Sequence, residues 1–162
     1  MLTCFSTLAC PDLSWQDIYS MAKDFKFNGI EIRGLGQDIF SVKAAPFTDE
    51  NIAKTVAKLK ELKLTIPCLS SGEPVNNLET KDKAIAEIRA YIDLAHKLGT
   101  SYIRVLGDWN PAPEKEVDDE VVVSIMKELV PYAEEMNVTL LIETNGVYCD
   151  TKRLKKVLDA IG

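Results

Sequence analysis

The sequence predicts an α/β fold of parallel strands and helices, read as the first five units of a (β/α) barrel. Three observations carry this. Short β-like runs alternate five times with longer stretches whose apolar residues recur three and four apart. No hairpin signal joins one strand to the next, so neighbouring strands must run parallel. Several strands also turn charged on one face near their carboxyl ends, while their other face stays apolar.

The elements follow in order. Residues 2–6, "LTCFS", form the first strand, and Ser14 stands as the N-cap of a helix carrying Ile18, Met21, Ala22 and Phe25. Residues 29–34, "GIEIRG", form the second strand, followed by Thr48 as a cap and a helix with Ile52, Val56 and Leu59. Residues 64–70, "LTIPCLS", lead to Thr80 and a third helix with Ile85, Ile88, Ile92 and Ala95. Residues 101–107, "SYIRVLG", are followed by the loop "NPAPEKEVDD", by Asp118 as a cap, and by Val122, Ile125, Leu129 and Met136. Residues 138–144, "VTLLIET", lead to Asp150 and a fifth helix with Leu154, Val157, Leu158 and Ile161. Strand starts lie about 35 residues apart, the length of one βα unit. Trp15, Phe25 and Phe27 are expected in the core or between helices.

Two architectures accommodate five such units. One is a five-stranded doubly wound parallel sheet. The other is part of an eight-unit barrel, which in full takes ~250 residues. The strand pattern favours the barrel. Ile30 and Ile32 oppose Glu31 and Arg33; Ile103 and Val105 oppose Arg104; Leu140 and Ile142 oppose Leu141 and Glu143. A central doubly wound strand is covered on both faces and tends to be apolar throughout. A glycine-rich phosphate loop is also missing from "STLACPDLSW" after the first strand.

The chain's 162 residues suit a single domain, 1–162, with a real core. A net charge of −6 argues against a nucleic-acid backbone as partner. No apolar run reaches ~18 residues, so no membrane span is expected. The N-terminus has no basic n-region, so no signal peptide is expected. Cys4, Cys10, Cys68 and Cys149 are scattered without a CxxC pair, which fits reduced thiols in a cytoplasmic protein.

Glu143 is the leading candidate for chemistry. A carboxylate at the end of an apolar strand must be paired or coordinated. It either pairs with Arg33 or Arg104 inside the sheet, or serves as a metal ligand or acid/base group at the barrel mouth. Glu31 and Arg33 either line the barrel as an ion pair or hold a polar substrate. Arg104, Asp108, Trp109 and Asn145 sit at or just past strand ends, where loops meet ligands. His96, the one histidine, lies near a helix carboxyl end and reads as a surface or dipole residue.

Three segments in order, "FNGIEIRG", "AHKLGTSYIRVLGD" and "AEEMNVTLLIETNG", resemble the xylose isomerase-like TIM barrels. That group includes sugar-phosphate isomerases and epimerases and shares a superfamily with endonuclease IV. The resemblance implies a TIM-type barrel whose N-terminal part this chain forms, and one divalent metal ion (Mn, Mg, Co or Zn) at its mouth. By resemblance Glu143 is the first of four metal ligands and one of two carboxylates that shuttle a proton. The Asp, His and second Glu of that set are expected beyond Gly162, so this chain coordinates the ion incompletely. Many members carry His two residues after this Glu; here that position is Asn145. The implied chemistry is proton abstraction next to a carbonyl through an ene-diolate, on a sugar or sugar-phosphate. Keto-polyol dehydration begins the same way. The nuclease branch places histidines after the third and fourth strands, where "PCLSSGEP" and "VLGDWNPAP" have none. A further reading is an incomplete barrel acting as a scaffold, because its exposed strand edges invite self-association.

Overall fold

Among the described residues, five strands and five α-helices alternate along the chain, as the periodicity requires. In the computed structural model, residues 1–110 and 116–162 are described; residues 111–115 of the expected "NPAPEKEVDD" loop lie outside the described residues. The strands are β1 (Cys4–Ser6), β2 (Gly29–Glu31), β3 (Cys68–Pro74), β4 (Tyr102–Leu106) and β5 (Thr139–Ile142). The helices are α1 (Trp15–Asp24), α2 (Ile52–Leu62), α3 (Lys81–Leu98), α4 (Asp119–Glu135) and α5 (Thr151–Ile161).

Among the described residues, all pairings between the strands are parallel. β1 pairs with β2, and β3, β4 and β5 pair in that order. Backbone bonds join the two groups: Thr65 N to Asn28 O at 3.0 Å, Ile30 N to Thr65 O at 2.9 Å, Ile32 N to Cys68 O at 3.1 Å and Ser70 N to Ile32 O at 2.9 Å. The spatial order therefore equals the chain order. A doubly wound sheet needs a reversal in strand order and helices on both faces. Here α2, α3, α4 and α5 pack one against the next as a single layer. The arrangement is a partial barrel, open between its edge strands β1 and β5.

The alternation of the strands divides their side chains cleanly. Ile30, Ile32, Leu69, Ile103 and Val105 are buried in the core shared with the helices. Ile88, Ile92, Ile125 and Leu129 meet them from α3 and α4, as the i, i+3 and i+4 spacing predicts. The loop after β2 is pinned to α3 by Tyr91, whose phenol accepts Ser41 N at 3.2 Å and whose ring meets Phe40 at 5.5 Å.

Several expectations shift. The third strand was expected over 64–70, yet its ladder with β4 starts at Cys68. Pro67 supplies no N–H, so pairing on that side begins after it. The segment before it pairs with β2 instead, and Thr100 Oγ1 donates to the Ile66 carbonyl at 2.9 Å. Ser14, Thr80, Asp118 and Asp150 are N-caps, although Thr80 makes no side-chain cap bond. Thr48 is not: α2 starts at Ile52 behind Asn51, and the Thr48 carbonyl accepts the amides of Asn51 and Ile52 at 2.9 Å. Phe25 is 71% exposed, because it falls just past the end of α1, where the chain turns. Phe27 takes the packing position instead, 5.0 Å from Phe5. Trp15 packs edge-on against Tyr19 and Phe47. Val56 and Leu158 lie on exposed helix faces.

Ile103 is fully buried on the middle strand of the β3–β4–β5 group. Ile103→Ala is expected to lower unfolding stability by about 2–5 kcal/mol. Val56→Ala, on an exposed face, should change it by less than about 0.5 kcal/mol. Urea denaturation of the two variants checks the assignment of core and surface.

Candidate active site at the carboxyl ends of the strands

The strand face turned away from the helices carries the polar side chains. Glu143 comes directly after β5, and its amide donates to Val105 O at 3.0 Å, so it belongs to the ladder's last rung. Its Oε2 lies 2.5 Å from Arg104 Nε. Of the two sequence readings of a pair, Arg104 is the partner, not Arg33. The contact is an ion pair, and Oε2 is shielded from solvent. Arg104 is itself fixed, with Nη1 donating to Ser71 O at 3.0 Å. Its backbone oxygen accepts from Ser71 Oγ at 3.2 Å.

Glu31 is held on the neighbouring strand, where Ser70 Oγ donates to its Oε1. Ser70 and Ser71 are buried, and sequence reading did not single them out. Two adjacent hydroxyls directly after Leu69 were the available signal. Cys68 lies two residues before Ser70, on the same strand face, and burial pushes its thiol pKa up.

Asp108 is turned inward, with only 2% of its surface exposed. Its Oδ1 accepts Asn110 N at 3.0 Å and its Oδ2 accepts Val147 N at 3.0 Å. Asn145 Nδ2 donates to Asp108 O at 3.2 Å, and Asn145 N donates to Glu143 O at 2.8 Å. These two candidates thus clamp the loop after β4 to the loop after β5. Gly146 sits under the clamp with φ of +56°, and a Cβ there would lie 2.0 Å from Asp108 Oδ2 and 2.4 Å from Asn110 O.

A second knot, built around the buried Tyr148, ties α5 to the start of α4. Tyr148 Oη donates to Asp119 Oδ1 at 3.0 Å, and Arg153 Nε contacts both Asp119 oxygens at 3.0 Å. Burial, with Asp119 beside it, holds the Tyr148 phenol far above its usual pKa. His96 is remote from this chemistry in kind: its Nδ1 lies 3.1 Å from Met136 O, on an exposed surface.

Arg33 faces a different space. Its amide donates to Thr7 Oγ1 at 2.8 Å, while its side chain makes no hydrogen bond or ion pair among the described residues. Arg33 lines an open cleft of about 790 Å³ with Phe40, Glu73, Lys83, Glu87 and Trp109.

Among the described residues, no group of three or more His, Cys, Asp or Glu side chains is gathered closely enough to hold a metal ion. Glu143 offers a carboxylate oxygen shielded from water at a strand end, and carboxylate oxygens are ligands of hard cations.

An open layer of parallel strands with helices outside and carboxylates at the strand ends defines a protein of the (β/α)-barrel class. The chain belongs to the Xylose isomerase-like TIM barrel family, whose model matches residues 20–162. No curated protein matches the chain in sequence. Among solved structures, it is similar to the probable 3-DHS dehydratase AsbF involved in petrobactin synthesis from Bacillus anthracis, at TM-score 0.78 and 19% identity over 99% of this chain and 59% of that one. It is similar to the IolI protein with a bound zinc atom, at TM-score 0.74 and 14% identity over 99% of this chain and 59% of that one. An L-ribulose 3-epimerase matches at TM-score 0.74 and 16% identity over 100% of this chain and 58% of that one. The chain thus spans about three fifths of the length of the structures it matches.

Two outcomes test the geometry. Gly146→Ala should cost on the order of 3 kcal/mol, combining a left-handed backbone with a clash against Asp108. Gly36→Ala, with φ of +56° but nothing within 4 Å of the new Cβ, should cost only about 1 kcal/mol; thermal melts compare them. With a thiol reagent at mildly alkaline pH, the exposed Cys4 and Cys149 should react first and Cys68 last. A Cys68→Ser variant that lost the fastest phase would contradict this order.

Proposed function

We propose that this chain supplies the first carboxylate of a divalent-metal site in a sugar isomerase- or epimerase-like enzyme. Glu143 Oε2 carries the reading: it is a solvent-shielded anionic oxygen at a strand end, ion-paired with Arg104. A carboxylate oxygen is the kind of ligand a divalent cation takes. Bound there, a Mn, Mg, Co or Zn ion would polarise the carbonyl and hydroxyl oxygens of a substrate. One solved relative in fold holds zinc, and others are an epimerase and a probable dehydratase, which supports this class of chemistry.

The chain's own residues then have separate tasks. Glu143 would ligate the ion and take part in moving the proton on the carbon beside the carbonyl. Arg104, anchored to Ser71 O, holds that carboxylate in one orientation. Glu31, oriented by Ser70, offers a hydrogen-bond acceptor to substrate hydroxyls from the neighbouring strand. Asn145 and Asp108 keep the two loops at the mouth in register, and Arg33 meets the substrate from its cleft. Residues 1–162 act in this reading as one domain, the N-terminal part of the barrel. The free edges of β1 and β5 are open to pairing with further βα units or another chain. No helix among the described residues is long and apolar enough to cross a membrane.

Manganese(II) titration followed by paramagnetic broadening of amide signals tests the assignment. Broadening should begin at Glu143 and its neighbours in β4 and β5, and should be lost in Glu143→Gln. Broadening that survives that substitution would remove Glu143 from the site. Because one carboxylate supplies few ligands, calorimetry on this chain should show weak, millimolar-range binding. A stoichiometric submicromolar site would overturn the claim that this chain holds only one ligand.

A further inference from the structure

The side chain of Arg33 is an unanswered charge. Its Nε is shielded from solvent and unpaired, and no carboxylate among the described residues forms an ion pair with the guanidinium. Arginine stays charged under all ordinary conditions, and a shielded donor without a partner is costly. Yet the residue is held rigidly. Its amide donates to Thr7 Oγ1 at 2.8 Å, Thr7 Oγ1 donates to Gly34 O at 2.7 Å, and Gly34 N donates to Ser41 Oγ at 2.9 Å. Thr7 and Ser41 are both buried. The backbone therefore presents the guanidinium from a fixed base.

The other charges of the cleft already have partners. Lys83 Nζ meets Glu73 Oε2 at 2.6 Å. Glu87 Oε1 accepts Gly72 N at 2.7 Å and Glu73 N at 3.0 Å. Arg33 is thus the one charged group of this lining whose side chain has no partner among the described residues. Trp109, 67% exposed, and Phe40 add an aromatic wall. A cleft of about 790 Å³ is of the size that takes a small metabolite.

Charge balance selects among anions. Arg33 and Lys83 cancel Glu73 and Glu87, so the lining is neutral when empty. A monoanion answers Arg33 and adds one negative charge. A phosphate dianion would add two beside the carboxylates of Glu73 and Glu87, which disfavours it. We propose that Arg33 is the anchor for a substrate carboxylate, so that the substrate is a polyhydroxy or keto acid whose carbon skeleton lies along Trp109 and Phe40. The word substrate rests on the function proposed above; the carboxylate site rests on Arg33 and its cleft alone.

The test is a titration of the metal-free full chain with gluconate, inorganic phosphate and glucose, read by amide, arginine Nε–H and tryptophan indole NMR shifts. Gluconate should shift Arg33, Gly72 and Trp109 signals saturably, more tightly than phosphate, and glucose should not. Arg33→Met should weaken gluconate binding at least tenfold, with Arg33→Lys in between. With no metal present, the result is independent of whether Glu143 binds one. Unchanged affinity in a folded Arg33→Met variant, tighter binding of phosphate, or gluconate shifts mapping away from Arg33 in the wild-type chain would each overturn the proposal.

Discussion

The parallel register is the constraint on which everything else depends. Ile32 stands beside Leu69, Leu69 beside Ile103 and Ile103 beside Leu140, one row across four strand segments. That row faces the helices, and burying it stabilises the layer. A slip by one residue on any strand would turn its apolar set outward and its charged set into the core. The charged face at the strand ends is therefore a by-product of packing: Glu31, Arg33, Arg104 and Glu143 lie opposite the buried row because the strand period is two. The fold positions the charges by burying their neighbours.

The side-chain ties across the strands work on the same scale. Ser70 orients Glu31, and Ser71 exchanges bonds with Arg104, which in turn meets Glu143. Each tie reaches from one strand to the next, so the polar face is cross-linked at the level where the barrel opens. Groups held this way need little reorganisation when a ligand arrives, which is what a catalytic arrangement asks of its scaffold.

Much of this was legible in the sequence, and the reason is periodicity. Alternation in "GIEIRG" and "LLIET" distinguished a one-sided sheet from a doubly wound one, and the strand order bears that out. The pairing of Glu143 with Arg104 stood among the two readings that parity allowed. What escaped the sequence was set by backbone detail and by contacts distant along the chain. Pro67 delayed the third ladder, and Thr48 capped a turn where a helix start was expected. Asp108 looked like a strand-end ligand residue, yet its oxygens answer the amides of Asn110 and Val147, a partner that no local pattern announces. The Tyr148–Asp119–Arg153 knot joins residues up to 34 positions apart and left no spacing signal.

The Asp108 clamp has one more consequence. Gly146 leaves room for the carboxylate only because it has no Cβ, and Asp108 in turn fills the space that glycine vacates. Neither position can drift independently. A larger residue at 146 meets both the Asp108 carboxylate and the Asn110 carbonyl, and shortening 108 strands two amides without an acceptor. The two loops are thus joined as a single unit, in which the side chain at 108 and the absence of one at 146 depend on each other.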